Sequence, residues 1–180
     1  MTDSQLRPIS AGLDRASVES LAQRWLQALN SHDPEQVVAL CAPDVVFSHS
    51  TWPTTMRGHD DVWAWFTNNW RAVPDMRVEL ADGPFPLPDQ PKVAYQWRII
   101  GTHTGMWDPP GLAATGERFD VVIGDFHEYR DGKVVRGTGV MDITEVLRQL
   151  KVMPPQGSRA ERRMMRLLNL QTRLRRLLRR

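Results

Sequence analysis

The chain has a single cysteine among its 180 residues, so an intrachain disulfide is excluded. No apolar run approaches the roughly 18 residues that a membrane-spanning helix requires, and the N-terminus lacks the cationic segment and apolar stretch of a secretory signal. We therefore expect a cytoplasmic protein. The sequence has no internal repeat, and its length predicts one domain with an appendage.

The short motifs that identify many enzyme classes are also missing. The sequence contains no His-Glu-x-x-His helix motif, no Gly-x-Ser-x-Gly elbow and no glycine-rich phosphate loop. The histidines do not follow a spacing typical of metal ligands. We expect neither a metal ion nor an organic cofactor.

The formal charge of +2 is unevenly distributed along the chain. Residues 157–180 hold nine of the 23 basic residues and one of the 21 acidic residues, a net of +8, which leaves −6 for residues 1–156. Because the body is acidic, nucleic-acid binding through the fold is not expected. An anionic partner would be met by the tail.

The tail has the pattern of a basic amphipathic helix over residues 159–180. Leucine and methionine occupy about half of the helical wheel and most arginines occupy the other half. Gly157 and Ser158 provide a break and an N-cap before it. The helix could lie on an anionic membrane surface, pack on the body or on a partner subunit, or bind nucleic acid. The first interpretation would make the protein peripherally membrane-associated.

Apolar periodicity predicts helices in the first half of the chain and strands in the second. Residues 1–14 form an N-terminal arm, 15–153 the main domain and 154–180 the tail. The predicted helices cover 17–30, a stretch from Pro34 that includes Cys41, a third segment that begins at Gly58, and 145–150. The predicted strands cover 45–47, 76–80, 92–104, 117–129 and 133–143, with a hairpin turn at Asp131-Gly132. This order is typical of an α+β fold.

Several stretches of the chain, taken in order, resemble one family. They are residues 21–33 on the first helix, Val45-Val46-Phe47-Ser48-His49 on the first strand, Arg57-Gly58 before the third helix, residues 124–134 in the hairpin and Met141-Asp142-Ile143 before the last short helix. Together they are similar to the NTF2-like superfamily, which includes ketosteroid isomerases and SnoaL-type polyketide cyclases. The resemblance implies a cone in which a curved antiparallel sheet wraps around three N-terminal helices and encloses a pocket. It also implies a homodimer.

The resemblance to ketosteroid isomerases gives three residues a role. Those enzymes use a carboxylate base and two donors that hold an enolate. Trp25 stands at the position of the donor tyrosine, His49 at that of the base and Asp125 at that of the protonated aspartate. An indole N–H donates but does not titrate, so we expect related proton chemistry rather than steroid isomerisation in its usual form.

The resemblance to SnoaL-type cyclases implies an acid–base aspartate on the last strand, here Asp142, facing Asp125 and His127. Strand alternation puts Asp125 and His127 on one face, at the end of an apolar wall that suits proton transfer. We predict Asp125 and Asp142 as the acid–base pair, with His49 and His127 as helpers. Alternatively, Asp125 and His127 form a structural network with each other or with Arg98, and Asp142 caps a helix.

Aromatic residues are expected to bind the substrate. Trp52 and Trp107 each lie beside proline and are predicted rim residues, and the loop 107–115 is a candidate lid. The predicted substrate contacts are Trp25, Trp52, Trp63, Trp97, His103 and Trp107.

The sequence thus predicts cofactor-independent acid–base chemistry on a hydrophobic polyketide-, steroid- or terpenoid-like carbonyl compound, by cyclisation, isomerisation or dehydration. An alternative comes from a different class of protein. In it, the domain is a non-catalytic module that binds a small hydrophobic molecule or a partner, tethered by its tail helix to a membrane or a partner protein.

Overall fold

The computed structural model describes residues 13–178, so the predicted arm at 1–14 lies almost wholly outside the described residues. The helices of the described part are α1 Arg15–Ser31, α2 Pro34–Val38, α3 Gly58–Ala72, α4 Ile143–Gln149 and α5 Arg159–Leu178. Its strands are β1 Cys41–His49, β2 Met56–Arg57, β3 Arg77–Pro86, β4 Lys92–Thr102, β5 Arg118–Arg130 and β6 Lys133–Val140. Within residues 13–178, no helix combines the length and the apolar character needed to cross a membrane.

Aspartate caps define where the first two helices begin. The carboxylate of Asp14 accepts the N–H of Ser17, and that of Asp33 accepts the N–H of Glu35, each at 2.9 Å. The predicted start of α2 at Asp33, with Pro34 in the first turn, is confirmed. The sequence predicts one apolar face on the first helix, formed by Val18, Leu21, Trp25, Leu26 and Leu29. The first three are buried and the two leucines at 26 and 29 are partly buried against the same core.

The second helix is shorter than the sequence predicts. It ends at Val38, and the assignment of Cys41 to it is wrong because Cys41 opens β1 and pairs with Val134 of β6. The thiol is fully buried, as expected for a small apolar residue, and burial raises its pKa to about 12. Its role is therefore packing.

The six described strands form one open sheet in the order β2-β1-β6-β5-β4-β3. The β1–β6 pair is parallel and the other pairs are antiparallel. Register shifts in β1, β3 and β5 introduce bulges, which bend strands and so let the sheet curve. The concave face packs against α1 and α3 around one main core, which is the predicted α+β cone.

The hairpin turn between β5 and β6 is confirmed. Asp131 and Gly132 both have positive φ, 54° and 72°, which suits the tight two-residue turn expected of an Asp-Gly pair. The last strand, however, ends at Val140 rather than 143, and Ile143 already belongs to α4. This early end decides where Asp142 lies.

Candidate active site

A cavity lies between the concave face of the sheet and helices α1 and α3. It has a volume of about 60 Å³, and its lining is apolar except at His49, Thr51, Asn69 and Asp125. The aromatic lining residues are Trp25, Phe47, Trp65, Phe66, Trp70, Trp97, Trp107 and Phe119.

His49 and Asp125 approach each other across a glycine. Asp125 of β5 pairs with Gly139 of β6, and Gly139 pairs in turn with His49 of β1. Because Gly139 has no side chain, the side chains of His49 and Asp125 occupy the space above it. A Cβ at Gly139 would lie 2.8 Å from Nε2 of His49 and 3.2 Å from Oδ1 of Asp125. The two side chains therefore converge over Gly139, at the polar end of the cavity.

His49 is held with its Nε2 side toward Asp125. Its Nδ1 lies 2.7 Å from Oγ1 of Thr51 and accepts the backbone N–H of Thr51 at 3.2 Å. Since Nδ1 is an acceptor, this network assigns the hydrogen of the neutral ring to Nε2. Burial lowers the pKa of His49 below its ordinary value, although the nearby charge of Asp125 acts in the opposite direction. The neutral ring can donate from Nε2 near pH 7.

On its other side, the carboxylate of Asp125 lies next to a buried chain of polar groups. Its Oδ2 lies 3.3 Å from Nε2 of His127, whose Nδ1 lies 3.2 Å from the hydroxyl of Tyr129. That hydroxyl lies 2.8 Å from the hydroxyl of Tyr95. Burial raises the pKa of Tyr95 to about 12. Both phenols therefore stay protonated and can act as donors in the chain.

The other carboxylate oxygen of Asp125 has no partner within residues 13–178. Oδ1 is buried and makes no hydrogen bond among the described residues. Asp125 itself lines the cavity, so a molecule bound there would lie beside this carboxyl group. A buried acceptor without a partner is uncommon and calls for a functional explanation.

Arg98 takes no part in this cluster. It forms a two-pronged ion pair with Asp120, at 2.8 and 2.5 Å, through side chains that are about half exposed. Among the predicted alternatives for Asp125 and His127, pairing with Arg98 is therefore wrong, whereas the contact between Asp125 and His127 is present.

Asp142 does not join the other predicted acid–base residues. Because β6 ends at Val140, Asp142 leaves the sheet before it can face Asp125. It is exposed, and its carboxylate accepts the N–H of Glu145 at 3.0 Å as the N-cap of α4. The expected pairing of Asp125 with Asp142 is thus corrected, and His49 stands in the position that faces Asp125.

The predicted substrate contacts separate into four groups. Trp25, Trp97 and Trp107 line the cavity as expected. Trp63 does not, because it is 39% exposed on the outer side of α3. Trp52 lines a neighbouring groove. His103 is fully buried directly after the end of β4, where its Nδ1 lies 3.2 Å from Oγ1 of Thr115, and it is not among the residues that line the cavity.

The sequence reasoning did not single out three residues of the site. Trp65 lies on α3, and its ring contacts that of His49 at a centroid distance of 4.7 Å. Thr51 orients His49, and Asn69 accepts the indole N–H of Trp107 at 3.1 Å. Helical phase could have identified both, because Trp65 lies three residues after Val62 and Asn69 lies three residues after Phe66.

Trp107 separates the cavity from an outer groove. The groove has a volume of about 300 Å³ and shares Thr51 and Trp107 with the cavity. Trp107 also exchanges two backbone hydrogen bonds with Leu112, each at 2.9 Å, so the predicted lid loop presents a tryptophan between the two spaces. The cavity and the groove therefore adjoin at Trp107.

Replacing Trp107 by alanine is expected to join the two spaces. An apolar fluorescent dye that the small cavity cannot hold should then bind several-fold more tightly, as measured by fluorescence titration. Trp63→Ala, which removes an exposed tryptophan of the same size, is the matched control and should leave dye affinity unchanged. Equal affinities for the two variants would contradict the assignment of Trp107 as the barrier.

Within residues 13–178, no group of three or more histidine, cysteine, aspartate or glutamate side chains is arranged to hold a metal ion. The titratable side chains that line the cavity are those of Asp125 and His49. An apolar cavity with one carboxylate and one neutral imidazole is suited to proton transfer on an uncharged molecule.

The SnoaL-like domain family matches residues 22–137, well over half of the chain, and the protein belongs to this family. No match is found among curated proteins. The matched range includes His49, Asp125 and His127, so the polar end of the cavity lies within the family domain.

Solved structures with the same fold come from several bacteria. TsrD from Streptomyces laurentii is 28% identical and superimposes with a TM-score of 0.66 over 78% of this chain and 99% of its own. AclR from Streptomyces galilaeus, described as a proposed hydroxylase, is 21% identical with a TM-score of 0.66 over 92% and 96%. IdmH from Streptomyces antibioticus, described as a proposed polyketide cyclase, is 24% identical with a TM-score of 0.59 over 74% and 98%. These likenesses establish the fold.

Proposed function

We propose that the protein catalyses cofactor-independent proton transfer on a hydrophobic carbonyl compound. In this proposal Asp125 is the general base and His49 is the donor that holds the developing enolate oxygen. One observation carries it: Oδ1 of Asp125 and Nε2 of His49 converge at the polar end of a cavity that is otherwise almost entirely apolar.

The reaction would begin with removal of a proton from the carbon next to the carbonyl group. Oδ1 of Asp125 accepts that proton, and the electron pair of the C–H bond moves onto the carbonyl oxygen. The N–H of the neutral His49 ring then donates to the enolate oxygen. A donor fixed in a dry site stabilises such charge more strongly than water does, because it needs no reorganisation during the reaction.

His127 would act as a positioning residue in this scheme. It contacts Oδ2 of Asp125 and is itself held by Tyr129 and by the ring of Trp25, at a centroid distance of 4.8 Å. Contact with this buried ring on one side limits the directions in which the carboxyl group can turn. Such orientation is a large part of enzymatic rate enhancement.

The enolate leads to three products that differ in the following step. Protonation at another carbon gives an isomer, attack on a second carbonyl carbon closes a ring, and loss of a neighbouring hydroxyl as water gives a dehydrated product. Membership of the SnoaL-like family favours ring closure on a polyketide-like substrate, and the description of IdmH as a proposed polyketide cyclase supports the same choice. The homodimer implied by the resemblance stays a prediction.

Hydrogen–deuterium exchange would test the proposal before the substrate is known. The full chain is incubated in D₂O with a panel of aromatic and polycyclic ketones, and NMR follows exchange at the carbons next to the carbonyl group. At least one ketone should exchange about 10²-fold or more faster than in buffer. If ketones quench the tryptophan fluorescence of the cavity without any accelerated exchange, the protein is a binding module and the proposal is wrong.

The pH dependence of this exchange follows from His49. Since burial lowers its pKa, the ring is neutral above pH 6.5 and becomes protonated only at lower pH. A protonated His49 would pair with Asp125 and suppress the base. The exchange rate should therefore be level around neutrality and fall as the pH drops below 6.5 through the pKa of the folded protein. A rate that already falls between pH 8 and 7 would contradict this role of His49.

A further inference from the structure

Among the described residues, the C-terminal helix α5 contacts the body through its first turn alone. The hydroxyl of Ser158 accepts the N–H of Glu161 at 3.0 Å, and Glu161 lies 3.3 Å from the guanidinium of Arg148 on α4. From 165 to 177 every residue is exposed. The remaining four turns or so of the helix thus lie in solvent.

The exposed part of α5 carries an apolar stripe. Leu167, Leu170, Leu174 and Leu177 follow one another at helical spacing and are 63%, 54%, 51% and 69% exposed. A continuous apolar stripe on an otherwise polar surface marks an interaction site.

A row of arginines runs along one side of this stripe. Helical geometry puts Arg162, Arg166, Arg173 and Arg176 within one sector of the wheel, next to the leucines. The only acidic residue of α5 is Glu161, which is already engaged with Arg148. The row of arginines is therefore available to bind anions.

We propose that α5 binds to the surface of an anionic lipid bilayer and lies in its plane. The leucine stripe would enter the boundary between headgroups and acyl chains, and the arginines would contact lipid phosphates. At 20 residues the helix is about 30 Å long, so both rows can engage along their whole length.

Charge and apolar area together favour a bilayer over a pair of α5 helices or a nucleic acid. In a helix pair with a second copy, two arginine-rich helices would come together without acidic residues to neutralise them. Nucleic acid would neutralise the arginines but leave the leucine stripe in water. An anionic bilayer matches both rows, and the net charge of −6 on residues 1–156 would hold the body away from the lipid.

Vesicle flotation with the full chain tests this proposal. The protein should float with vesicles of phosphatidylcholine that contain about one third phosphatidylserine, and it should not float with phosphatidylcholine alone. Raising the salt concentration to about 1 M should release most of it, because the Debye length then falls to about 3 Å.

Three variants of the full chain separate the contributions of the two rows. Leu167→Ser with Leu170→Ser and Leu174→Ser should weaken vesicle binding at least tenfold. Arg166→Gln with Arg173→Gln and Arg176→Gln should remove the preference for phosphatidylserine. The matched control is Asn169→Ser with Thr172→Ser, which changes two polar residues of the same helix and should bind like the natural chain.

Several outcomes would overturn the proposal. Failure to float with anionic vesicles is one, and undiminished binding of the leucine variant is another, since binding would then be simple charge adsorption. The proposal also fails if the natural chain binds a DNA duplex but not vesicles. It fails equally if light scattering shows an oligomer that depends on the leucine stripe while vesicles are not bound.

Discussion

With Asp125 replaced by asparagine, ketone exchange is expected to fall by about 10²–10⁴-fold, the range that one general base contributes. The amide keeps the size and shape of the carboxylate but cannot accept a proton at Oδ1, which is the unpartnered atom in the cavity. The same NMR assay measures the loss. Ketone binding, followed by tryptophan fluorescence, should change little because most of the cavity wall is apolar.

Asp142→Asn is the matched control for this prediction. It makes the same chemical change at an exposed helix cap, where asparagine is itself a good N-cap residue. Exchange should remain within about twofold of the natural chain. If the Asp125 variant keeps its activity, or if both variants lose it equally, Asp125 is not the base.

Much of the fold could be predicted from local sequence patterns. The apolar face of the first helix, the Asp33-Pro34 helix start and the Asp131-Gly132 turn all depend on neighbours within a few residues of one another, and all three are confirmed. Alternation on β5 likewise placed Asp125 and His127 on one face. Such features survive folding because tertiary contacts reinforce them.

The errors arise where long-range pairing decides the outcome. Cys41 fits an apolar helical position, yet its pairing with Val134 draws it into β1. Asp142 would face Asp125 only if β6 continued and also contained a bulge, because regular alternation from Gly139 puts position 142 on the opposite face. Nothing local fixes the end of that strand. Trp63 was a different kind of error, because its position relative to Val62 and Phe66 on α3 already indicates the exposed side.

The meeting of His49 with Asp125 depends on a register that the sequence does not reveal. The two residues are 76 positions apart in the printed sequence and come together because both strands pair with Gly139. Gly137, two residues earlier on β6, likewise pairs with a residue of each neighbouring strand, Phe47 and His127. Glycines at alternate positions of a strand were the available signal, since they mark close approach by neighbours.

We therefore expect Gly139→Ala, which adds one methyl group, to abolish most of the ketone exchange activity. The added Cβ would overlap the ring of His49, which is held between Trp65 and Thr51 and has little room to retreat. A displacement of about 1 Å at a reacting group costs roughly 10²-fold in rate. We expect a comparable loss of ketone exchange and a decrease of about 1–3 kcal/mol in the free energy of unfolding, which denaturant titration would measure.

Gly124→Ala, on the neighbouring strand β5, is the matched control. Its Cβ would meet only side-chain atoms of Phe126, at 3.6 and 3.8 Å, which are ordinary contacts. Both variants make the same glycine-to-alanine change within a strand, so their backbone contributions largely cancel. If the two variants have equal exchange rates, crowding at His49 is not the cause of any loss.

A double variant separates crowding from chemistry. Adding His49→Ala to Gly139→Ala removes the ring that the methyl group displaces, so the pair should be more stable than the sum of the two single changes predicts. Exchange should nevertheless stay low, because the donor at Nε2 is gone. Recovered stability without recovered exchange would tie the role of Gly139 to the space it leaves for His49 and Asp125. Strictly additive losses would mean that Gly139 is required for the strand itself.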